Sequence, residues 1–399
     1  KRYEPSAKEF DQILFQNTGS EQLPQLYDNR KNIKINKRWL RDTTSIIEYL
    51  ENDQNLQINN FKSILVNDEF QNFFLFLFED YADEFLWRPA MFWRWEPNFD
   101  RFIMGFRFFY EFLYSIQPRY ALTPSFIRPF TASFRQWLVS SFGEDCTTKE
   151  KRDVVIHQYL DLLDLLENIL SNQPYLFGNH PTLIDIGFAG PFFKHFSSDF
   201  TPRKVMQQRA PAVYEWIARL WNCKASKLTI ESGFPIKGTL PQNWNSLLSL
   251  LTDYLEYYSL NRIAHNKGEK FFQWNHKNQL FTVPTVPYRS WCLMKLQQRY
   301  EALSDENKLK VKEILNQYSC WNYFITGYGE IIPPECDIEP PFAVYPPPTT
   351  RTRLAEKWDY DSVYLRYLWI TCKKWLFRGL LLGGIGIFLK YKKFTIYNK

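Results

Sequence analysis

The sequence predicts a mainly α-helical protein with a small α/β part at its front and a membrane-anchoring helix at its back. Three observations carry this expectation. Apolar residues recur with helical spacing from Phe61 to about Trp221 and again through 241–320. Strand-like pieces are confined to the first 59 residues and to one extended stretch before Tyr288. Near the end, residues 375–389 carry a single charge, Arg378.

The chain has 399 residues, enough for about two to three domains. Apolar residues make up 45% of it, which supplies a large core. The aromatic share is 18%, with 35 Phe and 24 Tyr. That mix accompanies AT-rich coding and says little about function. The net charge is +6. Eleven Lys or Arg against three Asp or Glu in 351–399 give that tail +8 and leave the rest near −2. A basic tail suits a lipid surface or an anionic partner. A nucleic-acid binder is expected to carry a basic stripe along a folded face, and no such stripe is readable. The six cysteines (146, 223, 292, 320, 336, 372) form no CxxC, and with the five scattered histidines they show no metal spacing. They read as structural thiols and ordinary imidazoles. The chain opens on Lys1 rather than Met, which reads as processing or trimming.

Taken in order, "KRYEP" is a short extended piece and "SAKEFDQILFQN" has helical spacing. "LPQLYDN" is a strand containing Pro24. "RDTTSIIEYLEN" starts a helix in which Asp42 or Thr43 can accept from first-turn N–H groups. Residues 70–95, "FQNFFLFLFEDYADEFLWRPAMFWRW", hold Glu79, Asp80, Asp83, Glu84, Arg88 and Arg94, too many charges for a membrane span. They read as one long, partly buried helix bent near Pro89. Glu84 and Arg88 stand i,i+4 as a surface pair worth a few tenths of a kcal/mol. The carboxylates of this segment read as facing water, with a catalytic role as the sharper alternative.

"KRDVVIHQYLDLLDLLENIL" is a helix, followed by "YLFGNHPTLIDIGFAGPF". There Thr182 fits an N-cap and Asp185, three residues on, can reach back to the cap N–H. "APAVYEWIARLW" is amphipathic with Pro211 near its first turn. Residues 241–320 add helices around the extended "KFFQWNHKNQLFTVPTVPY". Seven of the sixteen residues in 333–348 are proline, a stiff linker. The fifteen residues 375–389 are short of the roughly 20 needed to cross a bilayer. Residues 367–374 supply the length, with Lys373 and Lys374 snorkelling. Gly379 and Gly383 form GxxxG, which lets helices approach closely in lipid. The alternative is an amphipathic or protein-buried tail.

"LFGNHPTLIDIGFAGPFFKHF" followed by "APAVYEWIARLW" resembles the C-terminal helical domain of glutathione S-transferases, whose buried core helix starts at such a capping box. The resemblance makes Asp185 a folding residue. "LPQL" is similar to the family's V-P-x-L strand and "DTTSIIEYL" to its E-S-x-A-I-x-x-Y-L element. By that likeness Pro24 is a cis proline, the backbone of Leu23 pairs with the cysteinyl moiety of glutathione, and Asp42 and Thr43 hold its γ-glutamyl group at a helix start. "LWRPAMFWRW" and 241–320 look like a longer subgroup with an added helical region. The implied organisation is a partial thioredoxin-like domain at 1–59, a transferase-like helical domain at 60–235, an added helical region with a small hairpin at 236–325, a Pro-rich linker at 326–360, and a transmembrane anchor with basic tail at 361–399.

The resemblance starts at what looks like the family's second strand. The strand and helix that carry the thiol-activating Tyr, Ser or Cys have no counterpart here, so no catalytic residue is assigned. The expectation is a non-catalytic, transferase-like accessory subunit of a membrane assembly. A mitochondrial inner-membrane respiratory complex is the leading expectation, from the anchor, the missing start and the lack of disulfides. Its partners are other subunits, and the bilayer through 367–393, with no nucleic acid. No metal or cofactor is implied beyond possible glutathione at Leu23, Pro24, Asp42 and Thr43. One alternative is a membrane-anchored glutathione transferase with its activating residue upstream of Lys1. Another is a soluble module whose basic tail binds lipid or a partner.

Overall fold

The computed structural model describes residues 25–28, 30, 39–53, 63–97, 99–101, 103, 104, 146, 148–228 and 234–332. The front segment, Leu23, Pro24, the Pro-rich linker from 333 and the predicted anchor at 367–393 lie outside them. Among the described residues, no helix is long and apolar enough to cross a membrane.

The α/β part contributes β1 (Gln25–Tyr27) and β2 (Trp39–Arg41), antiparallel with Leu26 opposite Leu40. Helix α1 (Thr43–Glu51) follows at once. It starts there because the Asp42 carboxylate accepts from the Ser45 N–H at 3.1 Å, filling one of the free first-turn donors. Asp42 does so at φ 73°, a left-handed value that non-glycine residues rarely adopt.

The helical body begins with α2 (Glu69–Asp80), capped by Asp68. The sequence predicts one long helix bent at Pro89. The break instead falls earlier, in a π-helical turn over Tyr81–Phe85, where Leu86 N–H reaches the Tyr81 carbonyl. Helix α3 (Trp87–Trp95) then restarts, and Pro89 occupies its first turn. A proline costs nothing there, because first-turn N–H groups have no partner within the helix.

The predicted Glu84–Arg88 surface pair is also replaced. Glu84 faces Arg289 at 3.7 Å, while buried Arg88 lies over the rings of Trp274 and Phe281 at 5.0 and 4.3 Å. Cation–π attraction to two rings in a desolvated site outweighs an i,i+4 pair in water.

After α4 (Lys149–Leu170) come α5 (Leu183–Pro191), α6 (Phe200–Arg209) and α7 (Pro211–Trp221). Pro211 opens α7, and Glu167 of α4 accepts from the Ala212 and Val213 N–H groups at 2.9 and 3.1 Å. One helix thus caps another. Helix α8 (Asn245–Asn266) leads into the predicted hairpin, β3 (Phe271–His276) and β4 (Gln279–Pro284), with Trp274 opposite Phe281. Its two turn residues, Lys277 and Asn278, have φ of 48° and 61°, the signs of a type I′ turn. Alternation buries Phe272, Trp274 and His276. The stretch after Tyr288 divides at Ser304 into α9 (Pro287–Glu301) and α10 (Asp305–Gln317), and the short α11 (Trp321–Phe324) closes it.

These helices share one core. Phe78 of α2 meets Trp244 at 5.3 Å, Tyr81 meets Tyr254 at 5.6 Å, and Phe73 meets Phe324 at 5.9 Å, all edge to face. Each such pair adds about 0.5–1.5 kcal/mol beyond its buried area. The region from 236 onward therefore packs onto α2 and shares its apolar interior.

Candidate functional site

Two buried carboxyl groups lie close together in this core, and they differ in what surrounds them. The first is Asp185, 0% exposed at the start of α5. Thr182 and Asp185 form the predicted capping box. Asp185 Oδ2 accepts from the Thr182 N–H at 2.9 Å, and Oδ1 accepts from the Leu176 N–H and the Trp216 Nε1–H, both at 2.9 Å. The side chain thus joins the loop before α5, the start of α5 and the indole of α7. Burial pushes its pKa up to about 6, and these donors hold it from rising further. All its acceptor capacity is used inside the protein, so it is a structural knot.

The second is Glu79, at the end of α2 and 2% exposed. It borders a cavity where α1, α2 with its π-helical turn, and α9 meet. The lining includes Asp42, Thr44 and Glu48 from α1 and its cap, Glu79, Asp80, Asp83 and Glu84 from α2 and the turn, and Tyr288, Cys292, Lys295 and Arg299 from α9. Of the carboxylates read from the sequence as facing water, Asp83 is exposed as expected, while Glu79 is buried and Asp80 and Glu84 are half-buried beside a cavity, a correction with a local cause. Residues 79, 80, 83 and 84 share one helical face, and α1 and α9 close over that face.

The bonds across the cavity are specific. Thr44 Oγ1 donates to Glu79 Oε1 and Oε2 at 2.9 and 3.1 Å. The Tyr288 hydroxyl donates to Asp42 Oδ2. Arg299 pairs with Glu48 at 2.5 Å while lying 3.5 Å over the Phe76 ring. The hydroxyls of Tyr254 and Tyr258 on α8 both donate to Asp80 Oδ1. On the far side, α5 presses against Glu79. A Cβ on Gly187 would come within 2.8 Å of the Glu79 Cα, so only glycine lets the two helices approach this closely.

The electrostatics favour bound protons. Burial, then the neighbouring Asp83 and Asp80, hold the Glu79 carboxyl well above the usual range. Burial pushes Asp80 up to about 6 and Glu84 up to about 8. Burial, with Asp80, Glu84 and Asp42 adding to it, also drives the Cys292 thiol well above its ordinary value, and Tyr288 moves the same way. A reactive thiolate needs the opposite setting, a cation or an open helix N-terminus beside it. Here the start of α1 is already occupied by the Asp42 carboxylate. The cavity itself holds about 40 Å³, space for about three water molecules.

Of the residues the resemblance assigns to glutathione, Asp42 borders the cavity, with both carboxylate oxygens engaged by Ser45 and Tyr288. Thr43 is the first residue of α1, and its neighbour Thr44 is the one that reaches the cavity. Leu23 and Pro24 lie outside the described residues. Sequence reasoning missed Thr44, Tyr288, Cys292 and Arg299. The only signal for the last three is their i, i+4, i+11 spacing along one face of α9. Among the described residues no group of three or more His, Cys, Asp or Glu is arranged to hold a metal ion, and cysteines 146, 223, 292 and 320 are not joined in disulfides.

Residues 153–219 match the family model of the glutathione S-transferase C-terminal domain. That segment runs from within α4 to within α7 and contains the Asp185 knot. With the mostly helical fold, it makes this part of the chain glutathione-transferase-like. A search of curated proteins and a search of solved structures each gave no match.

Proposed function

We propose that this transferase-like chain is a non-catalytic accessory subunit of a membrane protein assembly, with a mitochondrial inner-membrane respiratory complex as its setting. The cavity beside α1 is the observation that supports the non-catalytic part. Glutathione is an anion overall and reacts as a thiolate. A cavity of about 40 Å³ lined by six carboxyl groups has neither the room nor the charge for it. Burial, and then its carboxyl groups, raise the pKa of the one thiol it contains. A thiolate placed there would face the same penalty, so binding and activation are both opposed.

The accessory role draws support from how the rest of the chain is built. The described helices within 63–332 share one core. It is followed in sequence by a proline-dense stretch and by an apolar run bearing GxxxG. Such a run is suited to contact with partner helices in lipid.

Two measurements test the proposal. The protein is expected to pass through immobilised glutathione and to show no glutathione conjugation above the uncatalysed rate. Retention together with turnover would establish the membrane-anchored transferase instead. In blue-native gels of solubilised membranes, the protein is expected to run within an assembly far larger than its own 48.1 kDa. Migration as a free monomer would remove the accessory-subunit reading.

A further inference from the structure

We propose that Glu79 is a proton-controlled latch, which holds α1 on the helical body while its carboxyl is protonated and releases it on ionising. The inference is independent of whether the chain is an enzyme.

Helix α1 is attached mainly through polar contacts. Of its apolar residues only Ile46 is buried, while Ile47 is partly covered. Its polar contacts include Thr44–Glu79, Asp42–Tyr288 and Glu48–Arg299, and the bonds from Ser63 and Ile64 to Glu51. Of these, Thr44–Glu79 lies deepest, because Glu79 is nearly fully buried.

The groups facing Glu79 come from every neighbouring element. Its own helix and turn present Asp80, Asp83 and Glu84, and α1 presents Asp42 and Glu48. Helix α9 presents Tyr288, Cys292, Lys295 and Arg299. Helix α5 sets its backbone at Gly187 against Glu79, which prevents Glu79 from backing away. Among the cations, Arg299 is engaged by Glu48 and Arg289 by Glu84, and Lys295 lies over the Trp291 ring at 5.7 Å. Two tyrosines on α8 serve Asp80. Glu79 accepts from one neutral hydroxyl, Thr44, and has like-charged neighbours around it. Ionisation there places a charge at a nearly fully buried position among other acids. The least costly relief is for α1 to lift away and admit water.

The sign follows from the direction of the shifts. Docked, Glu79 and Glu84 bind protons more tightly than in water, Glu84 up to about 8. The docked state therefore holds more protons than the undocked one. Docking is strongest below the ordinary glutamate range and weakens as pH rises toward 8.

The test is hydrogen exchange of the α1 amides, corrected for the intrinsic pH dependence, at pH 5.5 and pH 8.5. Helix α8 serves as the internal reference. In the wild type, α1 protection is expected to fall about tenfold or more at the higher pH, with α8 unchanged, since one pKa unit of differential binding is tenfold. In E79Q, which is neutral at every pH and still accepts from Thr44, protection should stay high at pH 8.5. T44V should lower α1 protection at pH 5.5 and flatten the profile. Equal α1 protection at both pH values in the wild type overturns the proposal. So does a fall of the same size in E79Q.

Discussion

Asp185 and Glu79 are the same functional group at nearly the same depth, on helices α5 and α2 that pack directly on each other. Their surroundings give them opposite characters. Asp185 has three N–H donors from three segments, and its pKa stops near 6. Glu79 has a single hydroxyl partner and three carboxyl neighbours in its own turn, and burial with those neighbours holds its pKa well above the usual carboxylate range. Burial therefore does not by itself decide whether a carboxyl fastens a fold or stores a proton. The number of fixed donors and the sign of nearby charge decide it. The family-model match covers the donor-rich site, and the acid-rich one lies outside it.

The sharpest way to break this contrast is Asp185→Ala. It strands the N–H groups of Leu176, Thr182 and Trp216 in the core, so a loss of about 3–5 kcal/mol is expected in urea denaturation. A loss below about 1 kcal/mol would show that the knot is not structural. Next is Gly187→Ala. Helix propensity favours alanine by about 1 kcal/mol. The new methyl would meet the Glu79 backbone at 2.8 Å, an overpacking cost of about 1–3 kcal/mol. Backbone cannot rotate aside, so net destabilisation is expected, together with faster α1 exchange. The smallest effect belongs to Glu48–Arg299. Glu48 is 39% exposed, and a double-mutant cycle should give less than about 1 kcal/mol, declining with added salt. A larger coupling would shift the hold on α1 from Glu79 toward this rim pair.

Much of the framework was legible because it is local. T-x-x-D at 182–185 specified a cap, Pro211 marked the start of α7, and the stretch that forms the hairpin read as extended, the hairpin itself being implied by the family resemblance. The break in 70–95 was misplaced because proline is an obvious signal and a π-helical turn leaves none. The acid stripe at 79, 80, 83 and 84 was visible as a face but read as solvated, since charged helical faces usually meet water. The role of Asp42 as a cap was readable. Its bond to Tyr288 was not, because that partner lies on a distant helix with no sequence link to it.

The sequence by itself determined the helix starts, the hairpin, the predominance of helices and which residues share each face, because caps and periodicity act within a few residues. Only the tertiary structure decided that Glu79 is buried while Asp83, on the same acidic face, stays exposed. The cost of a charge at a buried position depends on every group that surrounds it, however far apart those groups lie along the chain.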